Sequence, residues 1–305
     1  KKDVQREVEE NLAVMLTGQG ESLIHPRFEK CISYLVDHHV PFALTTNAAL
    51  LTPERSAFLI KSGISRITFS ISDFGADYEE VYNLDFDTMR RNVDSFMSIN
   101  SQCEESKRSE VWVSIVEHDI NREKIPEMRA YWEALGVTGV YVFRQITRGG
   151  ACQTDHYFLR SEAHRVEAEA LMAAKGVSTL CNLAFTAPFI GWNGQYYICC
   201  SDYEKVEPLG TVFDYSLRDM DSIKKDSIYR GNSACLKCNY DPVNAVREAM
   251  FEVGLGEAKR SKISNRLGIL KKQQADNPEL YAVIDWRTEH LAGKNAGVDV
   301  IAVGK

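Results

Sequence analysis

The chain has 305 residues, which is enough for one large domain or two smaller ones. Hydrophobic residues make up 44% of it and charged residues 26%, as in an ordinary globular protein. The net charge of -7 argues against a nucleic-acid partner that needs a broad basic surface. We find no bilayer-length apolar stretch and no signal peptide, so we expect a cytoplasmic protein without a membrane partner. In a reducing compartment, clustered cysteines indicate metal or redox chemistry.

Apolar and amphipathic stretches alternate along the first half of the chain. Continuous apolar stretches predict buried strands, and apolar residues at helical spacing predict the helices between them. The predicted strands cover 12–16, 42–46, 66–71, 111–116 and 140–143. The predicted helices cover 2–10, 26–38, 52–63, 86–99 and 122–135. This alternation indicates an α/β fold with a parallel sheet and crossover helices.

The composition of the chain changes after Gly149 and Gly150. We predict four parts in order: an α/β domain at 1–150, a connecting helix within 151–178, a cysteine-rich module at 179–240 and a helical extension at 241–305. Within the extension, 242–274 reads as helical and the tail from 293 as peripheral. Because the series begins with a helix, we expect a further strand in sequence that precedes Lys1.

Four cysteines in the third part have the spacing of a metal or cluster site. Cys181 and Cys199 lie on either side of a predicted hairpin centred on Gly194, and Cys235 and Cys238 form a Cys-x2-Cys pair. Two separated pairs of thiolates suit either a tetrahedral zinc ion or an iron–sulfur cluster. A set of buried free thiols is the remaining alternative, because cysteine is often buried as a small hydrophobic residue.

Polar side chains follow the predicted strands of the first half. In parallel α/β sheets the chemistry lies at the carboxyl ends of the strands, so these residues form one candidate set. The set comprises Gln19, Glu21, Asn47, Ser70, Ser72, Asp73, Glu117, His118, Arg144 and Gln145. We predict Glu117, Arg144 and Gln145 as catalytic residues, acting as substrate contacts or bases. His118 suits either proton transfer or a surface role.

Three short stretches, in order, resemble motifs of the radical S-adenosylmethionine (SAM) enzymes. Residues 19–26 (QGESLIHP) resemble their GGEPLLHP, 46–52 (TNAALLT) resemble TNGxLLT, and 69–73 (FSISD) are similar to ISIDG. The later cysteines resemble the SPASM/twitch module, Cys-x9–15-Gly-x4-Cys followed by Cys-x2-Cys. The resemblance covers about 12–240. It implies a partial (β/α)6 TIM-like barrel whose first strand is missing here, then a small auxiliary-cluster domain and a helical C-terminal tail.

The resemblance also implies cofactors and their ligands. SAM and a reduced 4Fe–4S cluster would yield a 5′-deoxyadenosyl radical that takes a hydrogen atom from the substrate. One auxiliary 4Fe–4S cluster would be bound by Cys181, Cys199, Cys235 and Cys238. SAM would be held by Gly18, Gln19, Gly20, Glu21, Asn47, Ser70 and Ser72. In this set the glycines would admit the methionyl group, the glutamate would face its ammonium, and the serines would bind ribose hydroxyls.

Each of these assignments has a plainer alternative. Glu21 could instead be a solvated loop carboxylate, and Asn47 could form an Asx turn that starts the next helix. The hydroxyls of Ser70 and Ser72 could be hydrogen-bonded at the strand ends without binding a ligand. Neighbouring strand residues face opposite sides, so only one of Cys199 and Cys200 should be a ligand, and we favour Cys199. The other cysteines, which lack partners at ligand spacing, are predicted to be incidental: Cys31, Cys103 and Cys152.

The sequence departs from the family pattern at several positions. The Cys-x3-Cys-x2-Cys loop that holds the SAM-cleaving cluster does not occur in it, and we expect that loop upstream of Lys1. Gln19 replaces the first glycine of its motif, Ser22 a proline and Ser72 an aspartate. No second run of cysteines follows Cys238, so one auxiliary cluster is implied instead of two.

The function implied is oxidation or other modification of a small molecule, natural-product or sugar-like, by an oxidoreductase-like radical SAM enzyme. An electron donor such as flavodoxin or ferredoxin would be its partner. Three alternatives remain open. They are a peptide-modifying maturase, a zinc–cysteine scaffold without redox activity, and a homologue that has lost its catalytic cluster.

Overall fold

A computed structural model of the chain describes residues 13–152, 162–181, 183–251 and 256–276. The chain divides into two compact units, one ending at Gln145 and the other beginning at Ile146. The helix predicted at 2–10, the first residue of the strand predicted at 12–16, and the tail from 293 lie outside the described residues. None of the described helices combines the length and the apolar content that a membrane crossing requires.

The first unit is built on five parallel strands that pair in chain order. They are β1 (Val14–Leu16), β2 (Phe42–Thr46), β3 (Arg66–Ser70), β4 (Glu110–Glu117) and β5 (Gly139–Arg144). All five predicted strands are present, and the sequential parallel order agrees with a partial TIM-like barrel. In register, Leu44 lies opposite Ile67, and Phe69 lies opposite Val113. The predicted α/β class is therefore confirmed.

Helices connect the strands of the first unit. They are α1 (Phe28–Asp37), α2 (Pro53–Lys61), α3 (Gly75–Tyr82), α4 (Phe86–Ser101) and α5 (Ile125–Ala134). Thr52 caps α2 by accepting a hydrogen bond from Arg55 N–H, with proline at the first helical position as predicted. The sequence did not predict α3, which has no capping side chain. Tertiary packing supports it instead, because Tyr78 is fully buried and stacks on Tyr82.

One apolar core joins the helices to the sheet of the first unit. It contains Ile32 from α1, Leu44 and Phe69 from the strands, Phe96 from α4 and Trp132 from α5, each almost fully buried. Burial of such side chains contributes roughly 1.5–3 kcal/mol each. The core therefore fixes the strands, and with them the polar residues at their carboxyl ends.

The second unit is mainly helical. Its elements are α6 (Glu162–Ala174), α7 (Leu183–Thr186), the antiparallel strands β6 (Phe189–Ile190) and β7 (Tyr196–Tyr197), α8 (Met220–Tyr229), α9 (Ser233–Lys237), α10 (Pro242–Phe251) and α11 (Glu257–Ala275). The predicted connecting helix, α6, packs against α10 and α11 through Met172, Val246 and Leu267. The helix predicted at 242–274 is two helices, and Gly256 before α11 has φ +115°, which favours glycine. A second small cluster surrounds Ile198.

Candidate functional site

Glu21 joins the loop after β1 to the end of β2. Its Oε2 accepts hydrogen bonds from Thr46 Oγ1 and from Asn47 N–H, both at 2.9 Å, and its Oε1 accepts one from Leu23 N–H at 3.0 Å. The first two sequence motifs therefore meet at one partly buried carboxylate. A carboxylate offers about four acceptor positions, so these three bonds leave one for a ligand cation.

The residues beside Glu21 show how a ligand can approach. Gly18 and Gly20 are exposed, and among the described residues, apart from Gly20 and its chain neighbours, no atom lies within 4 Å of the position that a Cβ on Gly20 would occupy. Gln19 between them is half-buried. Asn47 Oδ1 accepts a hydrogen bond from Ala49 N–H at 3.0 Å, which is the Asx turn that the sequence left as an alternative. A binding role of Asn47 toward SAM stays a prediction.

Ser72 and Asn121 join the ends of β3 and β4. Ser72 is buried, and its Oγ accepts a hydrogen bond from Val116 N–H at 2.9 Å. Asn121 Nδ2 donates to Ser72 O at 2.7 Å and to Val116 O at 2.8 Å. Ser70, at the end of β3, is half-buried. The Ser72 hydroxyl is thus engaged in holding two strand ends, and a binding role toward the ribose of SAM stays a prediction.

Replacing Ser72 with alanine should lower the free energy of unfolding by about 1 kcal/mol, because Val116 N–H loses its acceptor. Denaturant unfolding of the variant and the parent measures the difference. Ser70→Ala is the matched control, for which we expect a change within about 0.5 kcal/mol. Equal stability of the Ser72→Ala variant and the parent would remove the structural role assigned to this hydroxyl.

His118 and Asp73 form an ion-pair-like contact at the same edge of the sheet. His118 Nε2 lies 3.1 Å from Asp73 Oδ2, and the aspartate side chain is 1% exposed. Burial raises the pKa of Asp73, while the hydrogen bond with His118 opposes that shift. Among the described residues, Asp73 Oδ1 has no hydrogen-bond partner. The contact joins the segments that follow β3 and β4, and a proton-transfer role for His118 stays a prediction.

The three residues predicted as catalytic lie at the ends of β4 and β5. Glu117 is paired with Arg144 in the register of these strands, and Gln145 follows as an exposed residue. The Glu117 carboxylate accepts a hydrogen bond from Arg122 Nε at 2.8 Å. Arg122 is thus one cation that pairs with Glu117, and the catalytic assignment of all three residues stays a prediction.

The four cysteines predicted as ligands line one cavity in the second unit. Its lining residues are Gly149, Cys181, Leu183, Ala184, Ile198, Cys199, Ser201, Ala234, Cys235, Cys238, Tyr240 and Asp241. Cys200 is exposed and is not part of this lining, which favours Cys199 of the two neighbours. Within the part of the chain that the structure describes, no three His, Cys, Asp or Glu side chains form a group suited to one metal ion.

Buried polar side chains hold the Cys-x2-Cys segment in place. Asn244, fully buried in α10, donates through Nδ2 to the carbonyls of Cys235 at 3.0 Å, Leu236 at 3.2 Å and Cys238 at 2.9 Å. Thr147 Oγ1 donates to Lys237 O at 2.8 Å. Neither residue has a local sequence signal for this role, because the Thr147 contact joins positions 90 residues apart and the Asn244 contacts join α10 to the segment before it.

The cavity is a poor environment for uncompensated thiolates. Burial raises the pKa of Cys199 to about 11, and it also raises the pKa of Cys181, Cys235 and Cys238. Backbone N–H groups oppose this shift at three of the sulfurs, as Ser201 N–H does at 3.4 Å from Cys199 Sγ. Four ionised thiols would therefore need a cationic partner, and binding such a partner would release their protons.

Comparisons with known proteins give a match in fold. The sequence matches no protein family and no curated protein. Among solved structures, Streptococcus suis SuiB bound to precursor peptide SuiA matches with a TM-score of 0.53 at 14% identity, over 78% of this chain and 62% of SuiB. Native anSMEcpe with bound AdoMet matches with a TM-score of 0.52 at 13% identity, over 92% and 88%. Its complex with AdoMet and the Kp18Cys peptide has a TM-score of 0.51 at 12% identity, over 93% and 91%. The chain thus spans less than two thirds of SuiB.

Proposed function

We propose that this chain, which has the fold of the radical SAM enzymes, belongs to such an enzyme and binds one auxiliary 4Fe–4S cluster in its second unit. The ligands would be Cys181, Cys199, Cys235 and Cys238. The observation that carries the proposal is that these four cysteines, from three separate stretches of sequence, line the same cavity. Such convergence is expected of ligands to one metal centre.

The donor set of the cavity fits a cluster. Four cysteine thiolates are the usual ligand set of a 4Fe–4S cluster. The same four thiolates also suit a tetrahedral zinc ion, which is the zinc–cysteine scaffold alternative. Analysis of iron, sulfide and zinc separates the two.

The edge of the sheet in the first unit would bind SAM. When bound with its own reduced cluster, SAM supplies the 5′-deoxyadenosyl radical. Glu21 would use its remaining acceptor position for the methionyl ammonium, and the open space at Gly20 would admit the methionyl group. Ser70 and Ser72 would bind the ribose. Because this sequence has no Cys-x3-Cys-x2-Cys loop, ligands of the SAM-cleaving cluster would come from sequence outside it.

Replacing Glu21 with glutamine should weaken SAM binding at least about tenfold, or about 1.4 kcal/mol. The substitution removes the negative charge that would face the ammonium, and it puts an amide N–H₂ where an oxygen now accepts hydrogen bonds. Isothermal titration of the full-length protein with SAM measures the affinity. Glu29→Gln, which changes an exposed carboxylate paired with Arg55, should leave it unchanged. Equal affinity in the Glu21→Gln variant would exclude Glu21 from the site.

Two substrate classes fit this proposal. The sequence resemblance favours net two-electron oxidation of a small molecule, with the auxiliary cluster accepting an electron from the substrate radical. The peptide-modifying alternative has a specific observation in its favour, since SuiB and anSMEcpe were each solved with a peptide. The two classes are separated by assaying SAM cleavage with peptides and with polyols, because turnover of one class alone identifies the substrate type.

SAM cleavage itself is the test of the enzyme assignment. The full-length protein, including any sequence that precedes Lys1, is loaded with iron and sulfide and then reduced by dithionite or flavodoxin. We expect 5′-deoxyadenosine and methionine in equal amounts. If the natural sequence carries no three-cysteine loop, or if the fully loaded protein releases neither product, the radical mechanism is wrong.

A further inference from the structure

Lys224 is a buried cation next to the cysteine cavity. Its side chain lies in α8 and is 1% exposed, and its Nζ donates hydrogen bonds to Ala184 O at 2.7 Å and to Ala187 O at 2.8 Å. Lysine is rarely this buried unless it is paired, because removing an ammonium from water costs several kcal/mol. The two carbonyl groups offset only part of that cost, so a negative partner is expected nearby.

The groups around Lys224 connect it to the cavity. The two carbonyls that it binds belong to α7 and the residue after it, and Ala184 itself lines the cavity together with Cys181, which precedes α7. Burial lowers the pKa of Lys224 to about 8, and the charges of Cys199, Asp221 and Cys200 oppose that shift. The side-chain nitrogen therefore lies against the backbone of the segment that follows Cys181 and contributes Ala184 to the cavity lining.

We propose that Lys224 is a positioning residue that also compensates charge for the auxiliary cluster. This inference rests on the proposed function. Its ammonium would hold the α7 segment that follows Cys181, and its positive charge would stabilise the cluster when that cluster gains one electron. A cluster bound by four thiolates becomes more negative on reduction, and a cation in a low-dielectric surrounding lowers the free energy of that state. Lys224 would thus raise the reduction potential of the cluster.

The test compares two neutral variants, Lys224→Met and Lys224→Gln, with the charged variant Lys224→Arg. The 305-residue chain is loaded with iron and sulfide, and its reduction is followed by electron paramagnetic resonance at controlled potentials. We expect the ratio of reduced to oxidised cluster at a fixed potential to fall at least about tenfold in the neutral variants, which is about 59 mV for one electron. The Arg variant should stay near the parent. Lys175→Met, which removes an exposed cation of the same unit, should change nothing.

The iron content and the reduction potential of the variants together test the role of Lys224. If the neutral variants fail to load iron while the Arg variant loads it, the requirement for charge is supported, because charge distinguishes arginine from both neutral residues. Unchanged potentials in loaded neutral variants, or an Arg variant that behaves like them, overturn the role of Lys224. Absence of iron from the parent chain would instead contradict the proposed cluster, so the two failures are distinguishable.

Discussion

Replacing Cys235 with alanine should remove one cluster, about four iron atoms and four sulfide ions per chain. Cys235 lies in α9 and lines the cavity with the three other predicted ligands, so its loss leaves one iron of a four-iron cluster without a thiolate. The remaining three sulfurs sit where burial raises the pKa of each, which disfavours thiolates that no metal compensates. Iron and sulfide analysis of anaerobically prepared protein measures the effect.

Two matched controls make this first prediction specific. Cys200→Ala changes the exposed neighbour of Cys199, and Cys103→Ala changes a thiol in the first unit. Both variants should retain the full iron content. An iron content of Cys235→Ala equal to that of the parent would refute the ligand assignment, and loss of iron from Cys200→Ala would transfer the ligand role from Cys199 to its neighbour.

Replacing Asn244 with aspartate should lower the free energy of unfolding of the second unit by about 3 kcal/mol and reduce its iron content. The Asn244 amide donates to three carbonyls of the Cys-x2-Cys segment, and its Oδ1 accepts from Arg247 Nη1 at 3.1 Å. An aspartate of the same shape loses both N–H donors of the amide and places a carboxylate oxygen against three carbonyl oxygens. The segment that presents Cys235 and Cys238 would then lose its support.

Asn193→Asp is the control for this second prediction, because it makes the same change at an exposed hairpin residue. Urea denaturation followed by circular dichroism gives the two stabilities, and iron analysis gives the loading. The Asn193 amide donates to Gln195 Oε1 and Tyr197 Oη at this exposed hairpin, so we expect the control to lose at most about 1 kcal/mol. If Asn244→Asp is as stable and as well loaded as the control, the three hydrogen bonds do not position the ligands.

The strands could be predicted from the sequence because their signal is local. Each is a short, continuous apolar stretch bounded by polar or glycine residues, as for 42–46 before Asn47. Helix α2 carried a local signal too, in Thr52 and Pro53. Helix α3 carried none. It is stabilised by burial of Tyr78 in the core, a tertiary effect that overrides weak local preference.

The candidate site, too, contains residues that the sequence could identify and residues that it could not. Motif order was sufficient to bring Glu21 and Asn47 together as candidates, and cysteine spacing was sufficient to select four residues that line one cavity. The contacts that hold these residues in place could not be predicted from the sequence, because they join residues far apart in it. The pair of His118 and Asp73 spans 45 residues, and Lys224 reaches a carbonyl 40 residues away. Buried polar residues of this kind become interpretable only once their partners are known.

The central claim is that four thiols of the second unit bind an iron–sulfur cluster, and metal content tests it most directly. The 305-residue chain, purified without oxygen and reconstituted, is analysed for iron, sulfide and zinc. We expect about four iron atoms and four sulfide ions per chain, with no stoichiometric zinc. One zinc ion per chain, without iron or sulfide, would contradict it and leave a zinc–cysteine scaffold as the explanation of the cavity.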